Sequence, residues 1–376
     1  MSTLDPVVIV GAGLAGAASA WALASRDVPV VVVEQFSAGH RSGSSHGSAR
    51  IVRRAYGDAL YTGLTGRAFE LWREVEQASG ETLLRMLGGL DFGSGRDVAA
   101  VADHLARAGV EHEVLPAAEA SKRWPGMEFE GDVVYHAQAG TMDAEGSVRA
   151  LLSLAEARGA VVRHETAATS VQGNEVRLAD GSVLAARCVV VAAGGWLAPL
   201  LAGRVELPPL RITQQQVFHY PRLDPTAPPW PSVIHLGKRN SVYHLAGGRD
   251  GGAGDDRKIG EHDGGVTTTA ADRDGVVNPD SRTRVTEYVR RWLPGLEPTP
   301  SSEITCLYTE TPSEDFLLDR VGDLVVCSPC SGHGAKFAPL IGEIVAGLAL
   351  GDDRVGVPER FRLAAHAAGR TGSVSL

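Results

Sequence analysis

Cysteine is scarce. Four residues in 376 are too few for a disulfide-built scaffold, although they leave room for a single reactive thiol. Long apolar runs are missing as well. Val28–Val33 is bounded by Asp27 and Glu34, and Leu340–Leu350 contains Glu343. Neither approaches the ~20 apolar residues of a membrane span. Basic charge is not in excess: 36 Lys and Arg against 45 Asp and Glu give a net charge of −9. That balance offers nothing to a nucleic acid. No basic stretch precedes the first apolar run, so no secretory signal is read there, and the cytoplasm is the expected location. No internal repeat is found. The remaining composition, 44% hydrophobic and 22% charged, is that of a soluble globular protein. The length suits two domains, or one large core with an insertion.

What is present begins at once. Val7–Val10 is a β-branched run, as in a parallel strand buried on both faces. Gly11-Ala-Gly-Leu-Ala-Gly16 follows, then helix formers from Ala17 to Ser25, then Val28–Val33 with Pro29 at its start, and finally Glu34. This is a complete βαβ unit. Gly11, Gly13 and Gly16 form G-x-G-x-x-G in the strand–turn–helix setting that makes the motif specific. Gly11 permits the tight turn. Gly13, with Leu14 and Ala15 beyond it, lets backbone N–H groups approach a pyrophosphate at the helix N-terminus, and Gly16 lets helix and strand pack closely. Glu34, with Gln35 beside it, is placed to accept from ribose hydroxyls and to disfavour a 2′-phosphate. The motif alone does not separate FAD from NAD. Its position near the N-terminus leans toward FAD, and nothing after Glu34 reads as a nicotinamide site.

Residues 64–79 read as an amphipathic helix ending near Gly80. Residues 84–139 alternate short strands and helices, and a helix over Ser147–Arg158 stops at Gly159. Val161–Arg163 and Val171–Leu178 read as strands, Asp180-Gly181 as a hairpin turn, and Cys188–Val191 as a buried strand leading to Ala192-Ala-Gly-Gly-Trp196. From 205 to 299 prolines cluster, and Gly247–Gly265, rich in Gly and Asp, reads as a mobile loop. Leu324–Cys327 is another buried strand, Pro339–Leu350 a helix, and Ala367–Leu376 a frayed tail. Cys327-Ser-Pro-Cys330 is C-x-x-C. It lacks the second pair that zinc would need, so it reads as structural thiols and no metal site is expected.

Taken together these stretches resemble the monomeric sarcosine oxidase and N-methyltryptophan oxidase group of the D-amino-acid oxidase-like FAD-dependent oxidoreductase superfamily. The resemblance rests on Val7–Glu34, Gly43-Ser-Ser-His-Gly-Ser-Ala-Arg-Ile-Val-Arg53, Arg123-Trp-Pro-Gly126 and Leu154-Ala-Glu-Ala-Arg-Gly-Ala160. It continues through Ala192–Trp196, Cys306-Leu-Tyr-Thr309 and Ser331-Gly-His-Gly-Ala-Lys-Phe337, and so covers residues 7 to about 350. It implies an α/β fold (α+β overall). A Rossmann-type FAD-binding domain would be built from residues 1–83, 140–204 and 300–376. A discontinuous substrate domain on a mostly antiparallel sheet would take 84–139 and 205–299.

The resemblance also implies a site. FAD would be attached covalently through Cys306. Ser45, His46, Arg50 and Ile51 would lie by the flavin, with Arg50 near the ring, where a cation stabilises the reduced form. Arg53 would bind the substrate carboxylate as a bidentate fork, leaving Arg54 outward, and Lys336 would pair with the same carboxylate. Gly332, His333 and Gly334 would face the pyrimidine edge. Ala168, Gly194 and Trp196 complete the cofactor set. Lys258 would lie over the ring where O2 is reduced, His262 would shape substrate protonation, and Tyr243 would stand on the substrate side. The implied reaction oxidises the C–N bond of a secondary (N-methyl) or cyclic amino acid to an imine, with O2 reduced to H2O2. The alternatives are a pipecolate-type or imine-oxidising enzyme of specialised metabolism, a flavin dehydrogenase with another acceptor, and a non-catalytic binding protein on a flavoprotein fold. The expected partners are a small amino acid and O2. A monomer is expected, with a dimer as the alternative.

Overall fold

The computed structural model describes residues 5–238, 241–262, 264–352, 354 and 356–367. Val7–Val10 forms the strand that its β-branched run predicts. It lies between Val30–Val33 and Cys188–Val191, parallel to both, at the centre of a six-stranded sheet. Val161–Arg163 and Leu324–Ser328 extend the sheet in parallel, and Leu317–Val321 closes one edge antiparallel. Successive side chains of a strand point to opposite faces. Val7 and Ile9 therefore meet one core, shared with helices Leu14–Ala24, Ala59–Ser79, Ala144–Glu156 and Ala338–Leu350. Val8 and Val10 meet another, shared with the strands Ala168–Gln172 and Glu175–Leu178. Both faces are covered, which is why the strands are apolar throughout.

The second large sheet has nine strands. From one edge it runs Ser302–Glu310, then Arg211–Tyr220, then Arg257–Glu261 with the short Val266–Thr267 beside it. Ser241–Ala246, Ser232–Leu236, Gly89–Phe92, Asp132–His136 and Glu113–Pro116 complete it. Only Ser232–Leu236 against Gly89–Phe92 is parallel, so the expectation of a mostly antiparallel sheet holds. Ser302–Glu310, which carries Cys306, pairs along its length with Arg211–Tyr220. A small sheet of Arg50–Arg53, Ala139–Met142 and Leu84–Met86 stands apart from both.

Several expectations need correction. The described residues of Gly247–Gly265, which exclude Asp263, are not one loop. Gly248–Gly254 forms a 3-10 turn, and Arg257–Glu261 is a strand buried between Arg211–Tyr220 and Ser241–Ala246. The glycines and aspartates that suggested a loop flank a strand whose polar side chains find partners inside the protein. Val171–Leu178 is not one strand either. Gly173 at φ 57° turns the chain, giving a meander with Val183–Ala185. The helices expected over Ala17–Ser25, 64–79 and Ser147–Arg158 start earlier, at Leu14, Ala59 and Ala144. Asp58 caps Ala59–Ser79 by accepting from Leu60 N, and Asp143 caps Ala144–Glu156 by accepting from Gly146 N. Ala367 ends a short helix, while the rest of the expected frayed tail, 368–376, lies outside the described residues. Among the described residues, no helix is long and apolar enough to cross a membrane.

Candidate active site

The glycine turn opens into a cavity of about 750 Å3. Gly11 stands at φ +101°, a conformation that suits glycine. A Cβ on Gly16 would fall 1.8 Å from Gly11 O, so the helix can lie against the turn only without it. Gly13, Leu14 and Ala15 line the cavity, and Leu14 N donates to Ser45 Oγ at 3.0 Å. Glu34 is buried and fixed: Oε2 accepts from Ala12 N (2.9 Å) and Oε1 from Phe36 N (3.0 Å). Gln35, Ala168, Gly194 and Trp196 line the same end, where Trp196 stands edge-on to Phe36 at 5.4 Å. A helix N-terminus, a glycine-rich turn and a fixed acid lining one cavity fit a dinucleotide.

The far end reaches Arg50, Cys306, Gly332 and Gly334. Arg50 is held by carbonyls, donating to Ala49 O (2.9 Å), His46 O (2.7 Å) and Ser44 O (3.1 Å). His46 is buried and held neutral, its pKa lowered to about 3 by burial and by Arg50 and Lys258. Cys306 is buried, and Cys327 and Cys330 line the same cavity. Burial raises the pKa of both Cys327 and Cys330.

A second, smaller cavity of about 100 Å3 shares His46, Arg50, Cys306, Tyr308 and Gly332 with the first. It brings together Ile51, Arg53, Tyr243, Lys258, His262, His333 and Lys336, residues spread over most of the chain. Lys336 Nζ donates to Tyr56 Oη and to His333 O, both at 2.8 Å, and Lys258 Nζ donates to Ala49 O at 2.9 Å. None of these acceptors is a carboxylate, and both lysines are buried. Burial, reinforced by Arg53, pulls the Lys336 pKa well below the usual value. Burial and Arg50 bring Lys258 to about 7. Tyr243 and Tyr308 are hydrogen-bonded to each other, and burial raises the pKa of both. The His262 ring lies 6.0 Å from that of Tyr308. A Cβ on Gly332 would meet both rings, at 3.2 Å and 2.8 Å.

Arg53 faces inward, but the expected free fork is half taken. Nη1 donates to Asp91 Oδ1 at 3.0 Å, and the same oxygen accepts from Arg96 Nη2 at 2.6 Å. Arg53 Nη2 is buried with no hydrogen-bond partner among the described residues. The guanidinium lies 4.5 Å over the Tyr56 ring. Arg54 is not outward. It is half-buried beneath the helix Ala59–Ser79, donating to Thr65 Oγ1 (2.7 Å) and Gln138 Oε1 (2.9 Å). Sequence reasoning missed Asp91, Tyr56, Asp250 and the pairing of Tyr308. Asp91 had a signal, since a lone acid in Leu90-Asp-Phe92 marks a buried charge that needs a partner.

Residues 6–348 match the family described as FAD dependent oxidoreductase. The chain belongs to that family. The oxidoreductase is 30% identical over 377 residues to the monomeric sarcosine oxidase of Bacillus sp. (strain NS-129), covering 93% of this chain and 94% of that one. It is 28% identical over 360 residues to the N-methyl-L-tryptophan oxidase of Yersinia pestis (strain Pestoides F), covering 90% and 93%. The solved open form of NikD, described as an unusual amino acid oxidase essential for nikkomycin biosynthesis, superposes with a TM-score of 0.84 at 24% identity, covering 95% and 96%. The family resemblance read from the motifs and the α/β class therefore both hold, and the oxidoreductase is FAD-dependent.

Proposed function

We propose that this oxidoreductase oxidises the C–N bond of a secondary (N-methyl) or cyclic amino acid to the imine, with O2 reduced to H2O2. One observation carries the reading: a small cavity with buried cations aimed into it opens directly onto the dinucleotide cavity. Arg53 Nη2 and the Lys336 ammonium would hold the substrate carboxylate. Ile51, Val217, Ile234, Leu245 and Ile304 form apolar walls that exclude water from the reacting amine. His262 and the Tyr243–Tyr308 pair border the space left for the amine, where they would favour its neutral form. Arg50 and Lys258 set a positive potential at the junction of the cavities. Bound FAD supplies the redox chemistry, taking up the substrate's electrons and passing them on. Cys306, at the same junction, would carry the flavin as a thioether. On this reading residues 1–83, 140–204 and 300–376 form the FAD-binding domain and 84–139 and 205–299 the substrate domain, with Arg53 and Lys336 reaching from the first into the substrate cavity. The protein would act as a cytoplasmic monomer. The similarity to sarcosine and N-methyl-L-tryptophan oxidases supports the substrate class.

The test is a peroxide-release screen over N-methyl and cyclic amino acids. Peroxide from one of them supports the reading. Substrate-driven bleaching of the yellow colour without peroxide under air would make the protein a dehydrogenase instead, and a colourless purified protein would make it a binding protein. Two variants test the assignments. Acid-precipitated wild-type protein should stay yellow, whereas Cys306→Ala should give a colourless pellet; a colourless wild-type pellet sinks the linkage. Lys336→Met should weaken binding of carboxylate-bearing substrates by about 1.5–3 kcal/mol, the cost of a hydrogen bond to a charged group. The loss should appear mainly as a higher KM, and an unchanged KM would remove Lys336 from the carboxylate site.

A further inference from the structure

The turn Gly248–Gly254 carries one side chain, Asp250, into the second cavity. Asp250 Oδ2 accepts from Ser48 N at 2.7 Å, and Asp250 N donates to Ser48 Oγ at 2.9 Å. Gly47, at φ +84°, leaves room for this: a Cβ there would lie 2.7 Å from Asp250 Oδ2. From the strand that follows, Lys258 Nζ donates to Ala49 O. The acid thus grips the N–H of Ser48 while the lysine grips the carbonyl of the next residue, so both rest on the same stretch of backbone.

Charge makes the pairing matter. Arg50 donates to the same Ala49 carbonyl, and Arg53 and Lys336 line the same cavity. Asp250 is the only carboxylate among its described lining residues. The other titratable groups facing Lys258 do not replace it. His219 lies opposite Lys258 in register on Arg211–Tyr220. Burial holds it neutral, at about 4, as it holds His46 at about 3. Cys306 would lose its thiol on carrying the flavin. Asp250 itself stays ionised: burial opposes its charge, but the Ser48 amide and the Lys258 ammonium outweigh burial and lower its pKa.

We propose that Asp250 is a positioning residue for Lys258, fixing the backbone on which the ammonium rests and supplying the negative charge that keeps it protonated beside Arg50. The proposal rests on the reading of Lys258 as the cation present where O2 is reduced.

The test titrates Lys258 in the resting holoenzyme. Acetic anhydride labels lysines across a pH series, and the Lys258 peptide is quantified by mass spectrometry, with exposed Lys122 as the internal reference. Asp250→Asn, which keeps an acceptor for Ser48 N, should move the half-labelling pH of Lys258 down by on the order of one unit. Asp250→Glu should largely restore it, and Lys122 should not move. If Asp250→Asn does not fold, Asp250→Ser removes the charge in less volume and must shift the midpoint in the same direction. An unmoved Lys258 midpoint in a folded, charge-removed variant overturns the proposal. A shifted midpoint together with flavin reoxidation indifferent to Lys258→Met would keep the pair and sink the oxygen role instead.

Discussion

Lys258→Met should slow the transfer of electrons to O2 by about 10²–10³-fold, the scale seen when one preorganised electrostatic group is removed from a buried site. Anaerobic reduction by substrate should change far less. The asymmetry follows from where charge develops. O2 arrives neutral and becomes negative as it accepts its first electron, whereas the amine is expected to react from its neutral form. A fixed cation in a buried, apolar-walled cavity therefore favours the first event most. Lys258 meets the requirement because its strand is interior and its Nζ is tethered to Ala49 O rather than to a neutralising carboxylate. Methionine keeps the length and apolar stem of the side chain, so the change removes charge with little loss of packing. Stopped-flow measurement of the two half-reactions checks it, and equal slowing of both refutes the oxygen role. There is also a signature in pH. Burial and Arg50 lower Lys258 to about 7, and the protonated form carries the charge. Wild-type reoxidation should therefore decline as pH rises through that region, and the Met variant should lose the decline.

The first βαβ unit was legible because its signals are local. A β-branched run, three glycines at fixed spacing and a closing acid all fall within Val7–Glu34, and the structure folds them as a buried strand, a tight turn and a helix, with the acid buried against the turn. The central strands were legible for a related reason: Val7–Val10, Cys188–Val191 and Leu324–Cys327 are apolar on both faces because both faces are covered. The nine-stranded sheet is harder to read because its logic is long-range. Arg257-Lys-Ile-Gly has the composition of a loop and becomes a central strand only because Arg211–Tyr220 and Ser241–Ala246 flank it. The Arg53 side chain is buried, and the acid that engages it sits 38 residues along the chain. No local pattern announces such a pair. The lone Asp in Leu90-Asp-Phe92 and the lone Lys in Arg257-Lys-Ile are the same kind of clue, a charge in a stretch that must be buried. Lys258 was singled out only through the family pattern; Asp91 lay outside that pattern and was missed.

Asp91→Ala should destabilise the fold by about 3–5 kcal/mol, the cost of removing one partner from a buried ion pair. Its side chain is 1% exposed, and those of Arg53 and Arg96 are 3% and 2%. Neither arginine can relax into solvent from there. Without the carboxylate, two guanidinium groups that share one oxygen would face each other, and Arg53 Nη1 would join Nη2 in lacking a partner. Asp91→Asn keeps an acceptor but not the charge, so it should fall between the wild type and alanine. Urea unfolding of the holoenzyme measures both. On the proposed role of Arg53, substrate binding should suffer as well, because Asp91 fixes the guanidinium at the cavity wall. The KM for carboxylate-bearing substrates should rise in Asp91→Asn even at temperatures where that variant is fully folded. The contrast is Asp352, whose pair with Arg354 lies on the surface with the arginine 89% exposed. Solvent already screens that attraction and compensates either partner when the other is lost. Asp352→Ala should leave the unfolding midpoint essentially where it is, and a loss comparable to that of Asp91→Ala would mean that burial is not what gives the Arg53–Asp91–Arg96 cluster its weight.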